Sequence, residues 1–254
     1  MINEQYFLKL PKDFKNKCKI YPPSVKEVVD NEYFSKYRYL LTITQEEIED
    51  EFLNKKNENK EISAIPTPFE FLLATSFHNK EIEKLAKEAF YFFIKSPITF
   101  LYDRKEILLC DLEKTIKESN SIKDIKRKFI TIKEDEYFDF QNAIRESLGE
   151  KKVEPPDPDE DPRVKRIKAK ARYRDKIKAK KGMGISLGTL LASICCMGIG
   201  INPLNVGELS YASVDSLIKT YQEKEKYETD IRALIAGADS KKIKPKYWIR
   251  NLDE

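Results

Sequence analysis

Apolar residues recur at helical spacing through most of this chain. Ser24, with Glu27 three residues on, forms a capping-box signature ahead of Val28 and Val29. Tyr33, Phe34, Tyr37, Leu40 and Leu41 then mark one helix face, and Thr44 with Glu47 marks a further helix start. Pro68 opens a helix whose apolar face is Phe69, Leu72, Leu73, Ser76 and Phe77. Ile82, Leu85, Ala86, Ala89, Phe90, Phe93 and Ile94 define the next helix, which stops before Pro97. Other stretches lack the helical period. QYFLKLPKDFKNKCKIYPPS, broken by Pro11 and Pro22-Pro23, predicts one or two short strands ending in a turn. ITFLYDRKEILLC has apolar runs on either side of Asp103–Glu106 and predicts a β-hairpin. Helical signals return at 111–118 and 121–128, and residues 54–61 read as a polar loop. A short strand, FITIK, and a helix, EDEYFDFQNAIRESLG, close the unit at Gly149.

The patterning then changes. GEKKVEPPDPDEDP packs prolines and acids with almost nothing apolar to bury, which predicts an extended linker. The next run carries Arg163, Lys165, Arg166, Lys168, Lys170, Arg172 and Arg174, with further lysines to Lys181 and the single acid Asp175. Its thin apolar stripe (Val164, Ile167, Ala171, Ile177) predicts a solvated basic helix that starts at Pro162. The predicted organisation is an N-terminal, mostly helical domain over 1–149 and an acidic linker over 150–162. The basic helix over 163–181 and a C-terminal helical domain over 182–254 follow. The fold class is mainly α with a small β-hairpin element.

Between Lys181 and Glu208 no side chain is charged. The strongly apolar part, Leu187–Ile201, is shorter than the roughly 20 residues of a membrane span. It is also cut by Gly188, Gly198 and Gly200. Leu187, Leu190, Leu191, Ile194 and Cys195 fall on one face with Gly188, Thr189 and Ser193 opposite. A one-sided stripe of this kind predicts burial against protein, in a core or an interface. Downstream, Leu209, Val214, Leu217, Ile218 and Tyr221 form one helical stripe. Tyr227, Ile231, Leu234 and Ile235 form another, with Gly237 in C-cap position.

Composition narrows the chemistry. The net charge is only +4, so a nucleic-acid reading rests on the basic helix alone. That helix has few interleaved aromatics and an acidic neighbour, so a solvated tether is the plainer reading. Cys18, Cys110, Cys195 and Cys196 form no CxxC, and with the single His78 they make no zinc pattern. Reduced thiols, no cofactor, no metal and a cytoplasmic location are expected, since the first residues lack a secretory pattern. The glycines at 182, 184 and 188 follow a basic helix rather than a strand, so they make no phosphate-binding loop. No nucleophile–base set is evident, and an enzyme is not expected.

The C-terminal half resembles tail assembly chaperones of phages of Gram-positive bacteria. The resemblance is carried by Gly200–Val206 (GINPLNV), Glu208-Leu209, the helix reaching Tyr221, and Ala236–Ile243 (AGADSKKI) before Trp248. At the other end, KIYPPSVKEVV followed by YLLTIT looks like the start of such proteins. The resemblance implies a non-catalytic protein that holds the tape measure protein and brings the tail tube protein to it. On that reading Leu187, Leu190, Leu191 and Ile194, with Tyr247 and Trp248, are the candidate partner surface. Self-association is compatible with it. The alternatives are a nucleic-acid-binding accessory protein using 163–181, or a component that stays in the virion.

Overall fold

A computed structural model describes residues 4–55, 65–110, 129–155, 160–161, 163–164, 167–168, 170–172, 174, 186–239 and 243–247. The helical signals at 111–118 and 121–128, and most of the 54–61 loop, lie outside the described residues. The chain is mainly α with a small two-stranded hairpin and a small three-stranded sheet. In order run α1 (Glu4–Phe7), β1 (Lys12–Phe14), β2 (Cys18–Ile20), α2 (Val25–Asp30), α3 (Phe34–Thr42) and α4 (Gln45–Lys55). Then come α5 (Pro68–His78), α6 (Lys80–Ile94), β3 (Thr99–Leu101), β4 (Glu106–Leu108), β5 (Thr131–Ile132) and α7 (Glu134–Ser147). The last helices are α8 (Leu187–Cys196) and α9 (Tyr211–Ile235).

Local chemistry sets these boundaries. Ser24 accepts from the Glu27 amide while the Glu27 carboxylate takes the Ser24 amide, and Thr67 with Glu70 repeats the device at the start of α5. Asn79 ends α5 and caps α6, its side chain accepting from the Glu81 and Ile82 amides. In the first strand pair Phe14 opposes Cys18 across a turn with Lys15 and Asn16 at positive φ. The hairpin predicted over 98–110 forms between Thr99 and Leu108 and gains a third strand: FITIK supplies β5, pairing Ile107 with Ile132.

The core is aromatic. Phe140 of α7 stacks on Phe90 of α6, with centroids 5.3 Å apart and planes 7° apart. Phe14 of β1 meets Phe140 edge-on at 5.5 Å. Helix α6 packs against both α3 and α5, and α7 lies against the same pair and against β2. In α5 the predicted apolar face departs from this at Phe77, which is 62% exposed and lies edge-on to Tyr102. It sits in the last turn of α5, where the chain reverses at Asn79, so no helix covers it.

Three lysines of the β1–β2 hairpin meet three acids of α7: Lys12 with Glu146 at 3.2 Å, Lys15 with Asp139 at 2.6 Å and Lys17 with Glu136 at 2.5 Å. Burial alone would raise the Glu136 pKa, but the Lys17 ammonium and the Lys133 amide override it and hold the carboxyl below its usual range. A depressed folded pKa stabilises the fold above the unfolded value of about 4.3, and the contribution disappears as pH falls through the folded value. Glu136→Gln is therefore expected to cost about 1 kcal/mol at pH 7 and nothing once the carboxyl is protonated in the parent chain. Urea midpoints measured from pH 7 down to pH 3 check this; a constant difference across the range refutes it.

The segment after residue 186 docks on the N-terminal unit. Ser24 and Ser210 form an antiparallel bridge, with the Val25 amide donating to Leu209 O at 2.9 Å and the Tyr211 amide to Pro23 O at 2.9 Å. Tyr211 packs edge-on against Phe34 at 5.5 Å, and Ala212 is buried in the main core. Two stripes were expected to be separate helices, yet α9 runs unbroken from Tyr211 to Ile235. The intervening Gln222-Glu223-Lys224-Glu225-Lys226 are all strong helix formers with no breaker among them. Gly237 ends the helix as expected: its φ is +94°, its amide donates to Leu234 O, and the Ala238 amide donates to Ala233 O, a Schellman cap.

Candidate functional site

A cleft of about 970 Å³ opens where α3 passes into α4, beside the start of α5 and one face of α7. Its apolar surface is contributed by Ile43, Pro68, Phe69, Tyr137 and Phe138. Two rows on α7 face it, Tyr137-Gln141-Arg145 and Glu134-Phe138-Asn142, each stepping by four residues along one side of the helix.

Polar groups along the wall are matched to backbone. Gln141 Nε2 donates to Ile43 O at 3.0 Å, and Arg145 Nη2 donates to Thr42 O. These carbonyls end α3, where a cation complements the helix dipole. Burial lowers the Arg145 pKa, a shift that Glu150, at 3.2 Å, and Glu47 oppose. The amides at the starts of α4 and α5 are taken by Thr44 with Glu47 and by Thr67 with Glu70, and Thr67 Oγ1 also donates to Glu134 at 2.8 Å. The cleft thus offers capped helix starts, an apolar floor and a rim where Arg145, Lys168 and Arg172 are each paired with a carboxylate. Tyr137 is fully buried, and its hydroxyl has no hydrogen-bond partner among the described residues. Burial drives its pKa upward.

The remaining wall comes from the stretch after α7. Asn142 grips Val153 twice, its Nδ2 donating to Val153 O at 3.1 Å and its Oδ1 accepting the Val153 amide at 2.9 Å. Where the sequence predicts an extended linker, its near end is therefore held on α7. Asn142→Ala is expected to cost about 1 kcal/mol locally, because a half-buried pairing is lost on both sides. Faster exchange of the Val153 amide, with the α6 core amides unchanged, is the readout; unaltered exchange at Val153 refutes it.

The described residues of the basic segment are helical from Arg163 to Arg174, and the segment is not solvated throughout. Arg172 pairs with Glu46 at 2.5 Å and with Asp50 at 3.0 Å. Burial alone would lower its pKa, but Asp50 and Glu46 override that and raise it. Lys168 pairs with Glu160 of the acidic stretch. Arg163, Lys170 and Arg174 are exposed, while Lys165 and Arg166 lie outside the described residues. Glu46 and Asp50, four apart on α4, were the signal for this latch, although Glu46 reads from sequence as a solvated charge.

The predicted partner stripe is occupied within the chain. Ile194 is completely buried with Val25 and Val214; Leu190 and Leu191 pack on that cluster, and Leu187 packs on the main core. Docking against α9 and α2 thus buries the Ile194 side of α8, while Ile199 and Leu204, further along the charge-free stretch, are exposed. Tyr247 is 57% exposed and edge-on to Tyr227 at 5.6 Å, and Trp248 lies outside the described residues. Burial, with Asp13 adding to it and Lys17 opposing, pushes the Cys18 thiol up to about 12, so it stays protonated. Among the described residues no group of His, Cys, Asp and Glu could hold a metal ion, and no described helix is long and apolar enough to cross a membrane.

The fold is mainly helical, with an open cleft beside α3, α4, α5 and α7. Residues 176–253, which include α8 and α9, match the model of a phage-derived family described as the YomV second domain. No curated protein and no solved structure matches the chain.

Proposed function

We propose that this chain is a non-catalytic phage tail assembly chaperone that holds the tape measure and tail tube proteins during tail morphogenesis, in the cytoplasm of the bacterial host. The observation that carries the reading is the cleft between α3, α4, α5 and α7, whose apolar floor includes the half-buried Pro68 and Phe138 beside the buried Ile43, Phe69 and Tyr137. A floor of this kind suits the apolar face of a helix, and each Å² of apolar surface removed from water contributes roughly 25 cal/mol. The wall formed by Val153–Pro155 with Lys168, Ala171 and Arg172 is attached by polar contacts, so it can part without disturbing the core. The phage-derived match over 176–253 supports the setting. Holding differs from catalysis in what the site must do: bury a stripe of side chains and later release it.

The test is co-expression of the full chain with the tape measure and tube proteins encoded by the same phage, followed by affinity capture. Retention of either protein, reduced by Phe138→Asp on the cleft floor, supports the reading. Capture of neither protein by a folded chain overturns it. Mass spectrometry of purified particles separates the chaperone reading, in which the chain is absent, from a virion component.

A further inference from the structure

A second groove, about 1140 Å³, lies between the α2–α3 connection and α6 and shares no lining residue with the cleft above. Its walls are aromatic. Tyr33 and Tyr37 stack with centroids 6.5 Å apart, and Tyr37 and Phe92 lie 5.9 Å apart. Tyr91 adds a ring that is 56% exposed. The rim is acidic, with Glu27, Asp30, Glu32 and Glu88 against Lys87 and Lys95. The two lysines are already engaged, Lys87 with Glu83 at 2.7 Å and Lys95 with Glu27 at 3.3 Å. Asp30 has no ion-pair partner among the described residues.

These ring faces already accept ammonium groups from within the chain. Lys36 Nζ stands 5.1 Å from the Tyr33 centroid, and Lys95 Nζ stands 5.1 Å from that of Phe92. Ring quadrupoles attract cations, and nearby carboxylates add charge of the matching sign. Tyr37 is held in place by its hydroxyl, which donates to Glu88 at 3.1 Å. Burial, reinforced by that carboxylate, pushes the phenol up to about 12, so the donor persists at neutral pH.

We propose that this groove binds a lysine- or arginine-bearing segment of another polypeptide, seating a cationic side chain against Tyr33 and Tyr91 with Asp30, Glu32 and Glu88 around it. The acidic rim repels phosphate, which excludes nucleic acid as the occupant. Lys87 and Lys95, the lysines that line the groove, are already paired with carboxylates, so the acidic rim around Asp30 is matched to a cation brought by a different polypeptide. The inference stands independently of the chaperone reading, because none of its residues lines the other cleft.

The test uses the full chain and a labelled peptide alternating lysine with alanine, read by fluorescence anisotropy at low salt, with the lysine-acetylated peptide as the neutral control. Saturable binding is expected, at least about tenfold weaker for the acetylated peptide. Tyr91→Ala is expected to weaken it about fivefold, the scale of one partly exposed cation–π contact. Tyr91 is exposed, so this variant should keep its melting temperature, and Glu88→Gln gives an independent second perturbation. Asp215→Asn, at an exposed acid of α9 that lines neither pocket, should leave binding unchanged. Binding that ignores acetylation, survives Tyr91→Ala, or falls equally with Asp215→Asn overturns the proposal. So does concentration-dependent self-association abolished by Tyr91→Ala, which would assign the groove to a second copy.

Discussion

Replacing Phe140 with alanine is expected to destabilise the chain by about 3–5 kcal/mol, the range for deleting a large buried aromatic side chain. Phe140 is completely buried and is the ring on which the core converges. Phe90 stacks on it from α6, Phe14 meets it edge-on from β1, and Tyr137 lies 6.1 Å away on its own helix. Truncation removes both the transfer free energy of the ring and the contacts that its neighbours lose across the cavity. Stacked and edge-on pairs add about 0.5–1.5 kcal/mol beyond area burial. For a chain of this size the loss corresponds to a fall in melting temperature of roughly 10 °C. Phe140→Leu, which refills part of the volume, should recover most of the loss. A denaturant midpoint unchanged in Phe140→Ala would mean that the three rings do not share one core.

Gly149→Ala is the second large effect, expected at about 2–3 kcal/mol, because it combines a left-handed backbone with a close approach. Gly149 has φ +75°, and a Cβ there would lie 2.8 Å from Ala212 O and 3.0 Å from Ala212 Cα. Both atoms are backbone at the start of α9, so relief requires moving the helix that docks the C-terminal segment. The two causes can be separated. Asparagine tolerates positive φ but still carries a Cβ. Gly149→Asn should therefore remain destabilising if the approach to Ala212 matters, and should recover toward the parent if only the dihedral does. Thermal melts of both variants decide between these, and a parent-like Gly149→Ala would refute the contact.

Much of the first half was legible because short-range chemistry sufficed there. Ser24 with Glu27, Thr44 with Glu47 and Pro68 after Thr67 mark helix starts through contacts three residues apart, and the structure has those helices. The Phe90–Phe93–Ile94 face is likewise buried where its period places it. Phe77 shows the limit, since period identifies a face but not whether another element reaches the end of it. The long helix α9 shows the opposite error: two apolar stripes looked like two helices, although the polar residues between them favour helix just as strongly.

The candidate sites were harder because their members are far apart in sequence. Arg172 meets Glu46 and Asp50 more than a hundred residues earlier, and Gln141 reaches Ile43 across a similar separation. Local patterns rank such residues as solvated charge or helix surface. The stripe from Leu187 to Ile194 was correctly read as apolar and one-sided, but its partner could be named only once Val25 and Val214 were seen against it.

By itself the sequence determined the mainly α class, the helix caps and most of the buried faces, because hydrogen bonds and periodicity act within a few residues. It also established that the charge-free stretch suits contact with protein better than lipid. Tertiary structure decided that this stretch closes against α2 and α9, that the basic segment latches onto α4, and that an apolar cleft and an aromatic groove remain open. Those outcomes depend on which distant surfaces meet, and the geometry of that meeting is set by the packing of the whole chain rather than by any local run of residues.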